Sequence, residues 1–171
     1  MPNTFELIAS STVGSGGAAN IAFSSIPSTY TDLCIKTSLR AADSANNWYL
    51  AKVTFNSDNT SGNYSARIVA GFGTTAFSGT NSFYSGYIPS GARTANTFGS
   101  NEIYIPNYAG STAKSISTDS VTEGNGTSFE ILGLWAGLWT GTAAINSITI
   151  ASDTGNLAQH STAYLYGVKN A

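Results

Sequence analysis

The residues able to do chemistry are few and scattered. The 171-residue chain holds one cysteine and one histidine, Cys34 and His160, far apart in sequence. A nucleophile has to sit against a base, and the base against a group that orients it. Cys34 has no base near it in sequence, and His160, between Gln159 and Ser161, has no neighbouring carboxylate. One His, one Cys and dispersed acids give no zinc spacing. Glu102, Glu123 and Glu130 fall in or beside expected strands, and paired carboxylates are the machinery of glycoside hydrolysis. Glu130, between Phe129 and Ile131, is the best of the three, but a surface or rim carboxylate is the simpler account. Asp58 with Asn59, and Asp153 with Asn156, offer oxygens of the kind that hold Ca²⁺. Neither segment has a helix–loop–helix pattern, and hairpin turns use these residues in any case. The expectation is a protein that is not an enzyme, with no catalytic, cofactor or metal site. Three glycosylation sequons, at Asn59, Asn63 and Asn125, are read as chance matches in an Asn- and Ser-rich chain.

The elements that must position any functional surface are strands. Period-two alternation, with one face to a core and one to water or a neighbour, recurs along the chain. It is clearest in the hairpin from Asn96 to Glu123, where Ile103 and Ile105 oppose Ser100, Glu102 and Tyr104, and Pro106, Asn107 and Gly110 break the ladder. Further strands are expected at Phe5 to Ser11, Ile21 to Phe23, Leu33 to Arg40, Trp48 to Asn56, Tyr64 to Ala70 and Phe83 to Ile88. Thr127 to Thr140 reads as a buried strand bent near Ala136 and Gly137, followed by Ala144 to Ser152 and Gln159 to Val168. Asp58 to Asn63 is the strongest hairpin signal, Gly124-Asn125-Gly126 a tight turn, and Gly71 to Asn81 a long exposed loop. About ten strands without a convincing helix describe an all-β protein. The expectation is a single domain over 1–171, an antiparallel two-sheet β-sandwich of jelly-roll type.

Composition narrows the function. Charged residues are only 9% of the chain, where roughly 25% is ordinary, and Ser, Thr, Asn and Gly take their place. Burying a hydroxyl or an amide costs far less than burying an ion, so such a surface suits packing against other subunits. The seven basic residues are dispersed and the net charge is −2, which argues against nucleic-acid binding. No apolar run is long enough to span a membrane as a helix. The start of the chain lacks the pattern of a secretory signal, and one cysteine leaves no internal disulfide. Tyr49, Phe55, Trp135 and Trp139 are expected in the core. Tyr84, Tyr87, Tyr104 and Tyr108, beside the glycine-rich loop and the proline turns, are the candidate interface residues.

Three segments together resemble a known group: FELIASSTVGSGGAANIAFSSIPSTYTDL, TANTFGSNEIYIPNYAGST and STAYLYGVKNA. They are similar to small Ser/Thr-rich virion structural proteins of tailed bacteriophages, cyanophages particularly. These share an "ELIAS…V" strand, an "IP-x-TY-x-DL" strand entry and a "TA-x-LYGI"-like last strand, with Val168 here in place of the commoner Ile. The resemblance implies a jelly-roll module of the virion, without enzymatic activity, on the capsid exterior or the tail. The first expectation is a capsid decoration or cement protein, a homo-oligomer and specifically a trimer, partnered by the major capsid protein or other virion proteins. The alternative is a tail-fibre or receptor-binding module that docks glycans.

Overall fold

The computed structural model describes residues 4–82, 84–125 and 130–169. The strands are β1 (Phe5–Thr12), β2 (Ile21–Phe23), β3 (Asp32–Leu39), β4 (Trp48–Phe55), β5 (Tyr64–Phe72), β6 (Thr75–Asn81), β7 (Tyr84–Pro89), β8 (Gly99–Pro106), β9 (Lys114–Thr122), β10 (Ile131–Trp139), β11 (Ile148–Ser152) and β12 (Thr162–Val168). They form two antiparallel sheets. The larger runs β1-β12-β3-β8-β9-β10-β5-β6 and the smaller β2-β11-β4-β7. With the hairpins β5–β6 and β9–β10 set aside, the remaining eight strands, renumbered along the chain, read 1-8-3-6 against 2-7-4-5. That order is a jelly roll, two interlocked Greek keys. The two hairpins are insertions, and the pairing of β5 with β10 joins them into a four-stranded extension of one sheet.

The core follows from the alternation. Tyr49, Ala51, Val53 and Phe55 on β4 face Leu33, Ile35, Ile103 and Leu165 of the large sheet. The opposite face of β4 is apolar too: Trp48 and Leu50 pack with Tyr87 of β7 under Ile68, Ala70, Phe72 and Trp135 of the extension. The large sheet therefore hooks round β7 and covers the small sheet from behind. At the hook, Ser120 Oγ accepts the Tyr87 N–H at 2.7 Å, which satisfies an edge-strand donor. Gly86 holds φ +116°, and a Cβ there would lie 2.4 Å from Asn101 Oδ1. Only glycine fits so close an approach.

Four expectations are corrected. Asp58 to Asn63, the strongest hairpin signal, is no hairpin: it carries the chain from β4 in the small sheet to β5 in the large one. Gly71 to Asn81 is the end of β5, a turn at Gly73 (φ +54°) and the edge strand β6. Alternation is absent there because β6 is exposed on both faces for most of its length. β10 is not buried on both faces: Ile131, Gly133, Trp135 and Trp139 point inward while Leu132, Leu134, Ala136 and Leu138 face solvent. Its ladder also runs unbroken through Ala136 and Gly137, so the bend is absent. The strands number twelve among the described residues, rather than about ten. Phe83, Gly126, Thr127 and Phe129 lie outside the described residues.

Candidate functional site

The outer face of β10 sets the site. Its sequence, Ile-Leu-Gly-Leu-Trp-Ala-Gly-Leu-Trp, sends glycine and tryptophan inward and leucine and alanine outward. Trp135 Nε1 and the Tyr87 ring lie over Gly133, Ile116 lies over Gly137, and the Trp139 ring lies over Gly141. The outward row has no such partner: Leu132 is 61% exposed, Leu134 58% and Leu138 38%. Register adds neighbours, with Val121 of β9 opposite Leu132 and Val69 of β5 opposite Leu134. Val69 is 63% exposed and Val121 41%. Three nine-residue strands at the usual spacings make a face on the order of 400 Å², on which the three leucines, Ala136, Val69 and Val121 alternate with Ser65, Arg67, Ser115, Ser117 and Asp119.

Charge lies at the flanks of this face. Lys36, Glu102, Asp119, Leu134 and Val69 stand in one row across β3, β8, β9, β10 and β5. Lys36 Nζ meets Glu102 Oε2 at 2.6 Å, and the hydrogen bond and charge of Glu102 raise the Lys36 pKa. Glu102 and Asp119 are directly opposed like charges, an unfavourable cross-strand pair. Lys36 offsets one of them only. On the far flank Arg67 stands opposite Ala136, two residues from Val69. Among the described residues, neither Asp119 nor Arg67 enters an ion pair.

The four tyrosines expected at an interface are not brought together. Tyr87 and Tyr108 are buried within the chain, at 3% and 0% exposure, so neither can meet a partner. Tyr87 sits among Trp48, Phe72 and Trp135, and burial pushes its hydroxyl up to about 12. Tyr104 is half-buried on the outer face of β8, and its hydroxyl donates to Asp32 Oδ2 at 2.6 Å. The Tyr84 side chain lies outside the described part.

Tyr104 and Tyr108 belong instead to a structural joint. Tyr108 donates its hydroxyl to the Pro27 carbonyl, and Asp32 Oδ1 accepts the Asn107 N–H at 2.8 Å. The Thr31 N–H bonds the Val168 carbonyl at 2.9 Å. Tyr30 lies flat on Gly167, where a Cβ would fall 2.3 Å from its ring. The segments IPSTYTDL, IYIPNYAG and TAYLYGV thus meet at one corner, and β1 closes it by pairing with β12.

The remaining chemical candidates are also built into the scaffold. Cys34 is fully buried on the outer side of β3, flanked in register by Tyr166 and Tyr104. Burial, then the Glu102 charge, lifts its thiol to about 11, the opposite of a reactive cysteine. His160 is not in a strand: it occupies the turn before β12 with φ +71°. Glu130 pairs with Arg93 and accepts the Gly124 N–H at 2.8 Å. Glu123 accepts the Asn125 N–H at 2.7 Å. Asp58 accepts from Trp139 Nε1, Asn63 Nδ2 and the Thr60 N–H, the work of a turn. No group of three His, Cys, Asp or Glu gathers among the described residues.

A hollow of about 460 Å³ is lined by Asn46, Asn47, Trp48, Leu50, Asp153 and Thr154. The Trp48 ring is fixed there by edge contacts to Tyr87 and Phe72, at 5.1 and 6.1 Å between centroids. Asp153 Oδ1 accepts the Leu50 N–H at 3.1 Å. A search for similar proteins matches this chain to no family model, no curated protein and no solved structure.

Proposed function

We propose that this protein is a structural subunit of a tailed-bacteriophage virion, a capsid decoration protein that stabilises the assembled shell. One observation carries the assembly reading: an exposed leucine row on a jelly roll whose chain is poor in charge and rich in Ser, Thr and Asn. A face of that kind is inexpensive to desolvate and gains by being covered. The virion itself comes from the three-segment resemblance, whose motifs build the corner of the jelly roll. A protein that binds the assembled lattice and not free capsid subunits stabilises the shell through its binding free energy. Purified protein mixed with expanded capsids stripped of accessory proteins is expected to co-sediment with them and raise their resistance to heat. Absence of binding, or binding with no gain in resistance, overturns the reading.

A second reading has its own observation, the hollow beside Trp48. A fixed indole, two side-chain amides and a carboxylate are groups that stack on a sugar ring and bond its hydroxyls. A tail-fibre or receptor-binding module would use them on host glycans. Immunogold label on the tail rather than the shell, with glycan binding lost in Trp48→Ala, selects this reading.

A further inference from the structure

We propose that the outer face of β9, β10 and β5 is covered by the same face of a second copy, about a twofold axis parallel to β10. Arg67 of each copy then lies against Asp119 of the other. The pairing does not rest on the virion reading, since it concerns this chain alone.

The first argument is the arrangement of charge. A twofold contact is isologous, so every residue meets either itself or a residue that meets it in return. Two sheets placed face to face have two simple choices of axis. An axis across the strands lays β9 on β9 and brings Asp119 towards its own copy, adding to the repulsion it already has from Glu102. An axis along β10 lays β9 on β5. Asp119 and Arg67 are then offset by two residues, about 7 Å along the strand, a span that an extended arginine covers. Leu134 and Ala136 lie on this axis and meet themselves, which apolar side chains tolerate and charges do not. The pairing also supplies Asp119 with the cation that Lys36, engaged with Glu102, does not.

The second argument is size. The strands β8, β9, β10, β5 and β6 present a surface of about 24 by 30 Å at ordinary strand spacing. Covering it on both copies buries about 1,400 Å², inside the range of stable, specific interfaces. The apolar row runs through the middle, with Asp119 and Arg67 flanking it and Ser78 and Thr80 of β6 beyond Val69 and Arg67. An apolar centre with a polar border is the anatomy of an interface.

Analytical ultracentrifugation of the full chain, without any particle, tests this. The expected mass is twice 17.7 kDa. Leu134→Arg is expected to give a monomer with an unchanged circular dichroism spectrum, because the side chain points into solvent in the single chain. Asp119→Arg and Arg67→Asp are each expected to weaken pairing roughly tenfold or more. Combined in one chain, they restore it to within about threefold, since the swapped charges meet again across this axis and no other. A wild-type monomer at high concentration, a trimer, or a double variant no better than the singles overturns the proposal. Failure to bind capsids leaves it standing and removes only the virion reading.

Discussion

Replacing Tyr87 by alanine separates two roles that sequence alone does not distinguish. As an interface residue, Tyr87 would affect association and leave the fold intact. In the structure it is 3% exposed and joins the small sheet to the extension, its ring 5.1 Å from Trp48, 5.3 Å from Phe72 and 5.5 Å from Trp135. Truncating a large buried aromatic costs about 3–5 kcal/mol, and three ring contacts place Tyr87→Ala near the middle, at about 4 kcal/mol. For a chain of this length that lowers Tm by roughly 8–16 °C. The measurement is urea unfolding in the Leu134→Arg background, so that pairing does not enter the midpoint, followed by tryptophan fluorescence, in which Trp48 and Trp135 emit together with Trp139. The native emission should shift to the red as Trp48 and Trp135 lose a neighbour. Leu132→Ala, on the same open face, should change the stability of that chain by less than about 0.5 kcal/mol. A Tyr87→Ala loss below about 1 kcal/mol refutes the packing argument, and a lost dimer with intact Tm when Tyr87→Ala is made in the otherwise wild-type chain would return Tyr87 to the interface.

Three other outcomes follow from single joints. The Arg40 guanidinium donates to the carbonyls of Gly91, Arg93, Thr94 and Thr97, so Arg40→Met should free the 90–97 loop and cost about 3 kcal/mol, read as a lower urea midpoint and new protease cleavage there. Gly86→Ala, forced to φ +116° with its Cβ against Asn101 Oδ1, should destabilise by about 2–4 kcal/mol and lower Tm without altering the far-ultraviolet spectrum. The bonds from Trp139, Asn63 and Thr60 hold the Asp58 carboxyl down at about 2, below its ordinary 3.8. Its contribution is therefore complete above about pH 4 and is lost as pH falls through about 2; urea midpoints from pH 5 to 2 should fall less steeply in Asp58→Asn than in the wild type.

How much was legible depends on whether a residue's partner is local. Alternation placed β5 and β8 within a residue or two, because each buries one face and opens the other. Period-two reading fails where both faces share an environment. β6 is open on both sides, so its Thr, Ala, Ser and Gly carry no pattern and resemble a loop. β10 is apolar on both sides, and buried and exposed leucines are identical in sequence. The signal that was present lay in the small and large residues of its inner row: Gly133 and Gly137 alternate with Trp135 and Trp139 as a packed core requires, which leaves the leucines for the other side. The tyrosines failed for a different reason. Nothing near Tyr87 announces that a hairpin inserted elsewhere folds back over it, since Phe72 and Trp135 reach it only through the long-range pairing of β5 with β10.

The same distinction bears on what the resemblance can mean. Its three segments hold β1, β2, β8, β12 and the entry to β3, and in the structure their side chains bond chiefly to one another: Tyr108 to Pro27, Tyr30 on Gly167, and Asp32 to Tyr104 and Asn107. Such residues are constrained by the closing of a jelly roll, so sharing them means sharing the corner of a fold. Leu132, Leu134 and Leu138, with Asp119 and Arg67, stand on β10, β9 and β5, outside all three segments, whereas exposed Phe5 and Leu7 stand on β1 inside the first. On the proposed pairing, specificity resides in the inserted hairpins, where surface residues are free to match a partner without disturbing the corner. A chimaera that keeps this jelly roll and replaces Leu132, Leu134 and Leu138 by Ser, Thr and Ser should accordingly keep its fold and lose its assembly; if it still pairs, the face that matters lies elsewhere.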